Sequence, residues 1–173
     1  METLQAIRKR KSYRGTFKPD PVSRKDLKDI LEAGFLAPSG CNKQSTQFIG
    51  VDDPDLVKKL ADIYGIPWAA SAPAAILLLS KFTMTPSGVS YHLQDFSAAA
   101  ENILLAVADK GLATTWIEGQ IRGEKAKQMG ELLGVPEDLN VSIYMPLGFP
   151  ADEGPVPKKL SFEERAWFNG YGK

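Results

Sequence analysis

The apolar positions of this chain fall into helical and extended patterns that alternate irregularly from end to end. Leu4 and Ile7 share one face of a helix predicted over "LQAIRKRK", with Thr3 placed to cap it. Leu27, Ile30, Leu31, Gly34 and Phe35 recur at helical spacing in a second helix that stops before Pro38. Ser23 and Asp26 give that helix a capping box in which Asp stands for the usual Glu. "TQFIGV" reads as a strand, and Asp53 with Pro54 opens a further helix through Tyr64. "AAILLLS" is short, continuous and apolar, the pattern of a buried strand. The next helix is predicted from Asp95, as its cap, to Lys110, with Gly111 as the terminating glycine. Its apolar residues Phe96, Ala99, Ala100, Ile103, Leu104 and Val107 cover more than one face, so part of it is expected to lie beneath a second subunit. "TTWI" reads as a strand, "GEKAKQMGELLG" as a helix closed by Gly134, and "VSIYMPLGF" as a last strand.

Helices and strands mixed in this way favour an α+β fold over a doubly wound parallel sheet. The 173 residues suit a single domain, residues 1–173. "PSGCNKQS" and "TMTPSG" are loops by composition. After Pro150 the chain is rich in proline and glycine, then aromatic, and Trp167, Phe168 and Tyr171 call for a surface to pack on.

Charge and composition narrow the function. Lysine plus arginine and aspartate plus glutamate each number 21, so a polyanion is not expected as a partner of the whole molecule, and nucleic acid is set aside. The single cysteine, Cys41, allows neither an intramolecular disulfide nor a cysteine cluster for a metal. "APAAILLL" is too short to span a bilayer, and "METLQAIRKRKSYR" lacks a signal-peptide core. A cytoplasmic protein with no membrane partner is therefore expected.

Neither G-x-G-x-x-G, a Walker loop, H-E-x-x-H nor G-x-S-x-G occurs. His92, the one histidine, reads as a surface or interface residue rather than a catalytic base, and Cys41 as a small packed residue. "RKRKSYR", residues 8–14, holds five cations and admits three readings: a solvated helix end, a nucleic-acid contact, or a grip on one small phosphate. Ser12 between Arg10 and Arg14 favours the phosphate, while composition alone favours the solvated end. "GLATTWIEGQ" raises a related question, because small side chains there leave the backbone approachable just after a helix stops.

Four stretches stand in order: "RKS-x-R", "APSGCNKQ", "GLATTWIEG" and "LGFPADEGPVPKK". Together they resemble the FMN-dependent nitroreductase family in its compact form, over residues Ile7 to Lys159. The resemblance implies a nitroreductase-like α+β fold, with a central, mostly antiparallel mixed sheet flanked by helices, in an intertwined homodimer. It implies that Arg10, Lys11, Ser12 and Arg14 hold the phosphate, ribityl chain and pyrimidine edge of FMN. Pro38, Ser39, Gly40, Asn42 and Gln44 would reach the flavin from the other subunit, although Ser45-Thr46 follows where the family has Pro-Trp. "GLATT", with Ala113 in place of a common glycine, leads into Trp116, Ile117, Glu118 and Gly119. The backbone N–H of Glu118 would face flavin N5 and that of Gly119 would face O4. Lys158 and Lys159 would stand near the phosphate.

The activity implied is hydride transfer from NAD(P)H through the flavin to a nitroaromatic, quinone or similar small acceptor, with no catalytic side chain assigned. Reductive dehalogenation and flavin modification are alternatives on the same fold, for which "KFTMTPSGVSYH" is a short lid. A non-enzymatic FMN-binding or redox-sensing protein is a third.

Overall fold

Two of the helix starts that the sequence marks are built as expected. In the computed structural model, which describes residues 2–173, the hydroxyl of Ser23 accepts the Asp26 N–H, and the carboxylate of Asp53 accepts the Leu56 N–H, at 2.9 Å each. These caps satisfy amides that the first turn leaves without helical partners. They open α2 (Arg24–Phe35) and α3 (Pro54–Tyr64). The remaining elements are α1 (Thr3–Lys9), β1 (Thr46–Val51), β2 (Ala74–Ser80), α4 (His92–Asp109), β3 (Ala113–Thr114), α5 (Glu124–Leu132) and β4 (Asn140–Gly148).

The strands form one sheet in the order β1-β2-β4-β3, and each of these pairings is antiparallel. β2 is central and all seven of its residues are buried, which explains its unbroken apolar run. Successive side chains on a strand face opposite ways. Ala74, Ile76 and Leu78 accordingly pack with Ile30 of α2 and Ile103 of α4. Ala75, Leu77 and Leu79 pack with Leu60 of α3 and Met129 of α5. The sheet is thus a middle layer with helices on both faces. Each fully buried Leu or Ile contributes about 1.5–3 kcal/mol relative to exposure.

Several local expectations are corrected. Helix α1 starts at Thr3 with Glu2 at the cap position, and no side chain caps it. It ends at Lys9, so Arg10 and Lys11 lie beyond it. Leu4 and Ile7 are exposed and Ala6 is its buried residue, as α1 packs on α4. Helix α4 starts at His92, so Asp95 lies inside the first turn and is not a cap. Its carboxylate is engaged instead by Gly40 and Ser45, partners that helical spacing does not reveal.

The "TTWI" strand is shorter than expected. β3 covers Ala113–Thr114, and the chain rejoins β4 only through a bridge between Ile117 and Tyr144. Between them Trp116 turns toward α4, its ring edge-on to Phe96 at 6.5 Å. In the tail, Trp167 pairs with Tyr171 at 4.2 Å and Phe162 with Phe168 at 5.7 Å. Phe168 and Tyr171 nevertheless remain 74% and 87% exposed, so this chain alone does not supply the surface they call for. Among the described residues no helix is long and apolar enough to cross a membrane.

Candidate active site

The segment from Gly111 to Gly119 organises the site. Gly111 adopts φ 71, the left-handed conformation that ends a helix at little cost to glycine. Ala113 then pairs with Gly148, and Thr114 with Leu147. The buried hydroxyl of Thr114 donates to the Pro146 carbonyl at 2.7 Å. Its own carbonyl accepts the N–H of Tyr13 at 3.0 Å, which ties residues 10–13 to the sheet edge. Farther on, Ile117 exchanges both backbone hydrogen bonds with Tyr144. Its neighbours therefore direct their N–H and C=O groups away from β4. The N–H groups of Glu118 and Gly119 make no hydrogen bond among the described residues. The Glu118 side chain is taken by Arg122 in an exposed pair.

Beside the first half of this segment lies a groove of about 1100 Å³. Leu104, Val107 and Ala108 of α4 give it an apolar floor. Arg8, Lys9, Arg10 and Lys11 line it from the N-terminal side, and Lys159 and Arg165 from the tail. Three acidic residues, Glu101, Asp152 and Glu153, face these six cations. The excess of cations over acids favours an anion. Glu101 stands 3.8 Å from the Arg10 Nε, and the Lys11 ammonium donates to the Gly154 carbonyl at 3.4 Å.

The structure brings Arg10, Lys11 and Lys159 together in the groove. Ser12, Arg14 and Lys158 adjoin it in sequence but are not among its walls. The loop "PSGCNKQ" lies elsewhere. Pro38, Ser39 and Gln44 border a separate cavity of about 140 Å³, together with Asp95. Within one chain the loop and the groove are not brought together, and Trp116, Ile117, Glu118 and Gly119 line neither cavity.

The loop backbone is unusual. Cys41, Asn42 and Gln44 have φ of 51, 51 and 49, a region that costs non-glycine residues energy unless the surroundings hold them there. Ser39 Oγ accepts the Gln44 N–H at 3.0 Å. Gly40 has no room for a side chain, because a Cβ there would stand 2.4 Å from the Tyr91 ring. Cys41 is exposed, contrary to the packed position expected, because the 3₁₀ turn carries it on the outer surface. His92 meets Ser90 Oγ through Nδ1 at 3.0 Å and the Phe82 ring at 5.1 Å, in keeping with a local structural role.

No sequence pattern marks Glu101 or Arg165 as groove residues, and helical spacing marks Asp95 only as a cap. Arg8 and Lys9 belonged to the basic run already noted. Beneath the Ile117 bridge, burial pushes the phenol of Tyr144 up, so it stays neutral in the physiological range. No group of three or more His, Cys, Asp or Glu suited to a metal exists among the described residues.

Comparison with known proteins places this fold in a class of NAD(P)H-dependent flavin oxidoreductases. The model of the nitroreductase family matches residues 7–84 and 66–149. An Archaeoglobus fulgidus protein bearing the name NADH dehydrogenase/NAD(P)H nitroreductase is 36% identical over 153 residues, 88% of this chain and 87% of its own. The solved structure of an FMN-dependent nitroreductase from Clostridium difficile R20291 superposes with a TM-score of 0.80 at 27% identity, covering 97% of this chain and 99% of its own. An NADPH:FMN oxidoreductase from Vibrio harveyi, complexed with NAD+, gives 0.81 at 26% identity over 99% of this chain and 78% of its own. The chain belongs to the nitroreductase family.

Proposed function

We propose that residues 1–173 form one FMN-binding domain of a cytoplasmic homodimeric oxidoreductase that passes hydride from NAD(P)H to a nitroaromatic, quinone or similar small acceptor. One observation carries this reading. A single segment, Gly111–Gly119, borders a cation-lined groove at its start and offers unpartnered backbone N–H groups at its end. FMN joins an anionic phosphate to a flat ring with acceptor atoms along one edge, and the residues present suit both parts. Arg10, Lys11 and Lys159 match the phosphate, and Ser12, Arg14 and Lys158 flank them. The N–H groups of Glu118 and Gly119 match the ring edge.

Bound there, FMN supplies the centre that takes up and gives back hydride. The chain's own residues bind, orient and tune. Arg10 and Lys11 counter negative charge, with Glu101 close enough to orient the Arg10 guanidinium. Trp116, wedged on Phe96, and Ile117, bridged to Tyr144, hold the Glu118 amide at a fixed place on the sheet edge. The loop from Pro38 through Gln44 is largely exposed and remote from its own groove, which supports its serving the site of a partner copy. The same dimer would cover the tail aromatics. NAD(P)H and the acceptor would then use one open face in turn.

The visible spectrum of the purified protein, before and after anaerobic NAD(P)H, tests the reading. A bound flavin that bleaches supports it. A bound flavin that does not bleach makes the protein a flavin carrier or sensor, and failure to bind FMN removes the reading.

A further inference from the structure

We propose that Asp95 is a positioning residue that holds the flavin-facing loop of this chain in its binding-competent form. The inference rests on the function proposed above. Asp95 is 5% exposed and sits in the first turn of α4, outside both the groove and the loop. Its two carboxylate oxygens are divided between the two ends of the loop. Oδ1 accepts the backbone N–H of Gly40 at 2.7 Å, and Oδ2 accepts the Ser45 hydroxyl at 2.6 Å. Between these anchors lie Cys41, Asn42 and Gln44, the three loop residues with left-handed backbone.

Such a backbone persists only where its surroundings over-determine it. The loop itself offers the Ser39 to Gln44 hydrogen bond and its own turn bonds, from Asn42 N–H to Ser39 and from Lys43 N–H to Gly40. Asp95 adds a buried tie to rigid helix at each end. A carboxylate accepting a backbone N–H is among the stronger hydrogen bonds. Without it, Gly40 N–H and Ser45 Oγ lose a partner in a half-buried to buried setting, and the loop gains other conformations. Asn42 and Gln44 would then present themselves only part of the time, and the apparent dissociation constant rises by the inverse of the competent fraction.

The test compares Asp95→Ala, Asp95→Asn and Ser45→Ala with the unchanged full-length protein. Three measurements are made: dimer mass, FMN affinity by fluorescence titration of apoprotein, and the rate of tryptic cleavage after the exposed Lys43. Asp95→Ala is expected to keep the dimer, speed cleavage at Lys43 and raise the FMN dissociation constant about tenfold, as when the competent loop falls to about a tenth of the population. Asp95→Asn retains an acceptor for Gly40 and should fall between. Ser45→Ala removes one tie with minimal change and keeps the test informative should Asp95→Ala not fold. Folded variants that bind FMN as the unchanged protein does, or that show no faster cleavage at Lys43, overturn the proposal. If the unchanged protein itself fails to bind FMN, the functional reading falls and this inference with it, an outcome distinct from equal binding by all forms.

Discussion

The backbone of Ile117 donates to the Tyr144 carbonyl at 3.1 Å and accepts the Tyr144 N–H at 2.9 Å. That exchange turns the next amide, Glu118, away from the sheet. Glu118→Pro would therefore remove no internal hydrogen bond, and the extended conformation that proline imposes on the preceding residue suits Ile117 in its bridge. The proline variant is expected to fold and dimerise but to lose FMN affinity. Glu118→Gln should bind FMN and oxidise NAD(P)H close to the unchanged rate, since the exposed pair with Arg122 is worth about 0–1 kcal/mol. Circular dichroism, dimer mass and FMN titration check both. Abolished turnover in a flavin-loaded Glu118→Gln variant would make the carboxylate a proton-transfer group instead.

Arg10 lies in the groove with its Nε facing Glu101. Its replacement by alanine is expected to weaken FMN binding by about 1.5–3 kcal/mol, the usual worth of a hydrogen bond to a charged group. Fluorescence titration of apoprotein measures this. Unchanged affinity would return the basic run to a solvated helix end.

Gly40 and Tyr91 are sterically coupled. A Cβ on Gly40 would meet not only the Tyr91 ring at 2.4 Å but also its Cβ at 2.6 Å, which rotation of the ring alone does not relieve. Gly40→Ala is expected to cost about 1–3 kcal/mol, as overpacking does. Tyr91→Gly in the same chain, which removes both the ring and the Cβ, should recover much of that loss. Denaturant melts of the two single variants and the double variant complete the cycle, and strictly additive effects would contradict the coupling.

Lys110 joins α4 to α2 by donating to Asp26 and Asp29 at 2.7 Å each. These bonds lower the Asp26 carboxyl and hold that of Asp29 at about 2, and they raise Lys110. A lowered carboxyl contributes stability above its unfolded value near 4, and this is lost as pH falls toward the folded value. A raised amine contributes below its unfolded value near 10.4, and this is lost as pH climbs beyond it. Asp29→Asn should thus lower the melting temperature by a constant amount through neutral pH, with the difference shrinking between about pH 4 and pH 2. A difference that persists unchanged at pH 2 would show that the carboxylate charge is not its source.

Phe168 and Tyr171 are apolar rings without cover in one chain. Equilibrium sedimentation is expected to show twice the chain mass. Changing both residues to serine should shift the equilibrium toward monomer without lowering the thermal stability of the protomer. A flavin-loaded monomer of the unchanged protein would refute the shared site.

Where the controlling interactions are local, the sequence by itself determined the outcome. The Ser23 and Asp53 caps, the glycine stops at Gly111 and Gly134 and the buried β2 run follow from neighbouring amides and from side-chain periodicity. The four ordered stretches were also legible, and three of the cofactor-binding residues expected in them, Arg10, Lys11 and Lys159, meet in one groove. Tertiary structure alone decided the rest. Asp95 looks like a cap until Gly40 and Ser45, 55 and 50 positions away, claim its two oxygens. "TTWI" looks like an unbroken strand until Phe96 of α4 draws Trp116 out of the ladder. Leu4 and Ile7 look like a core face until α1 packs mainly on α4 and leaves them 63% and 48% exposed. Each of these depends on a partner distant in the chain, and periodicity shows which face of an element is apolar without showing what covers it.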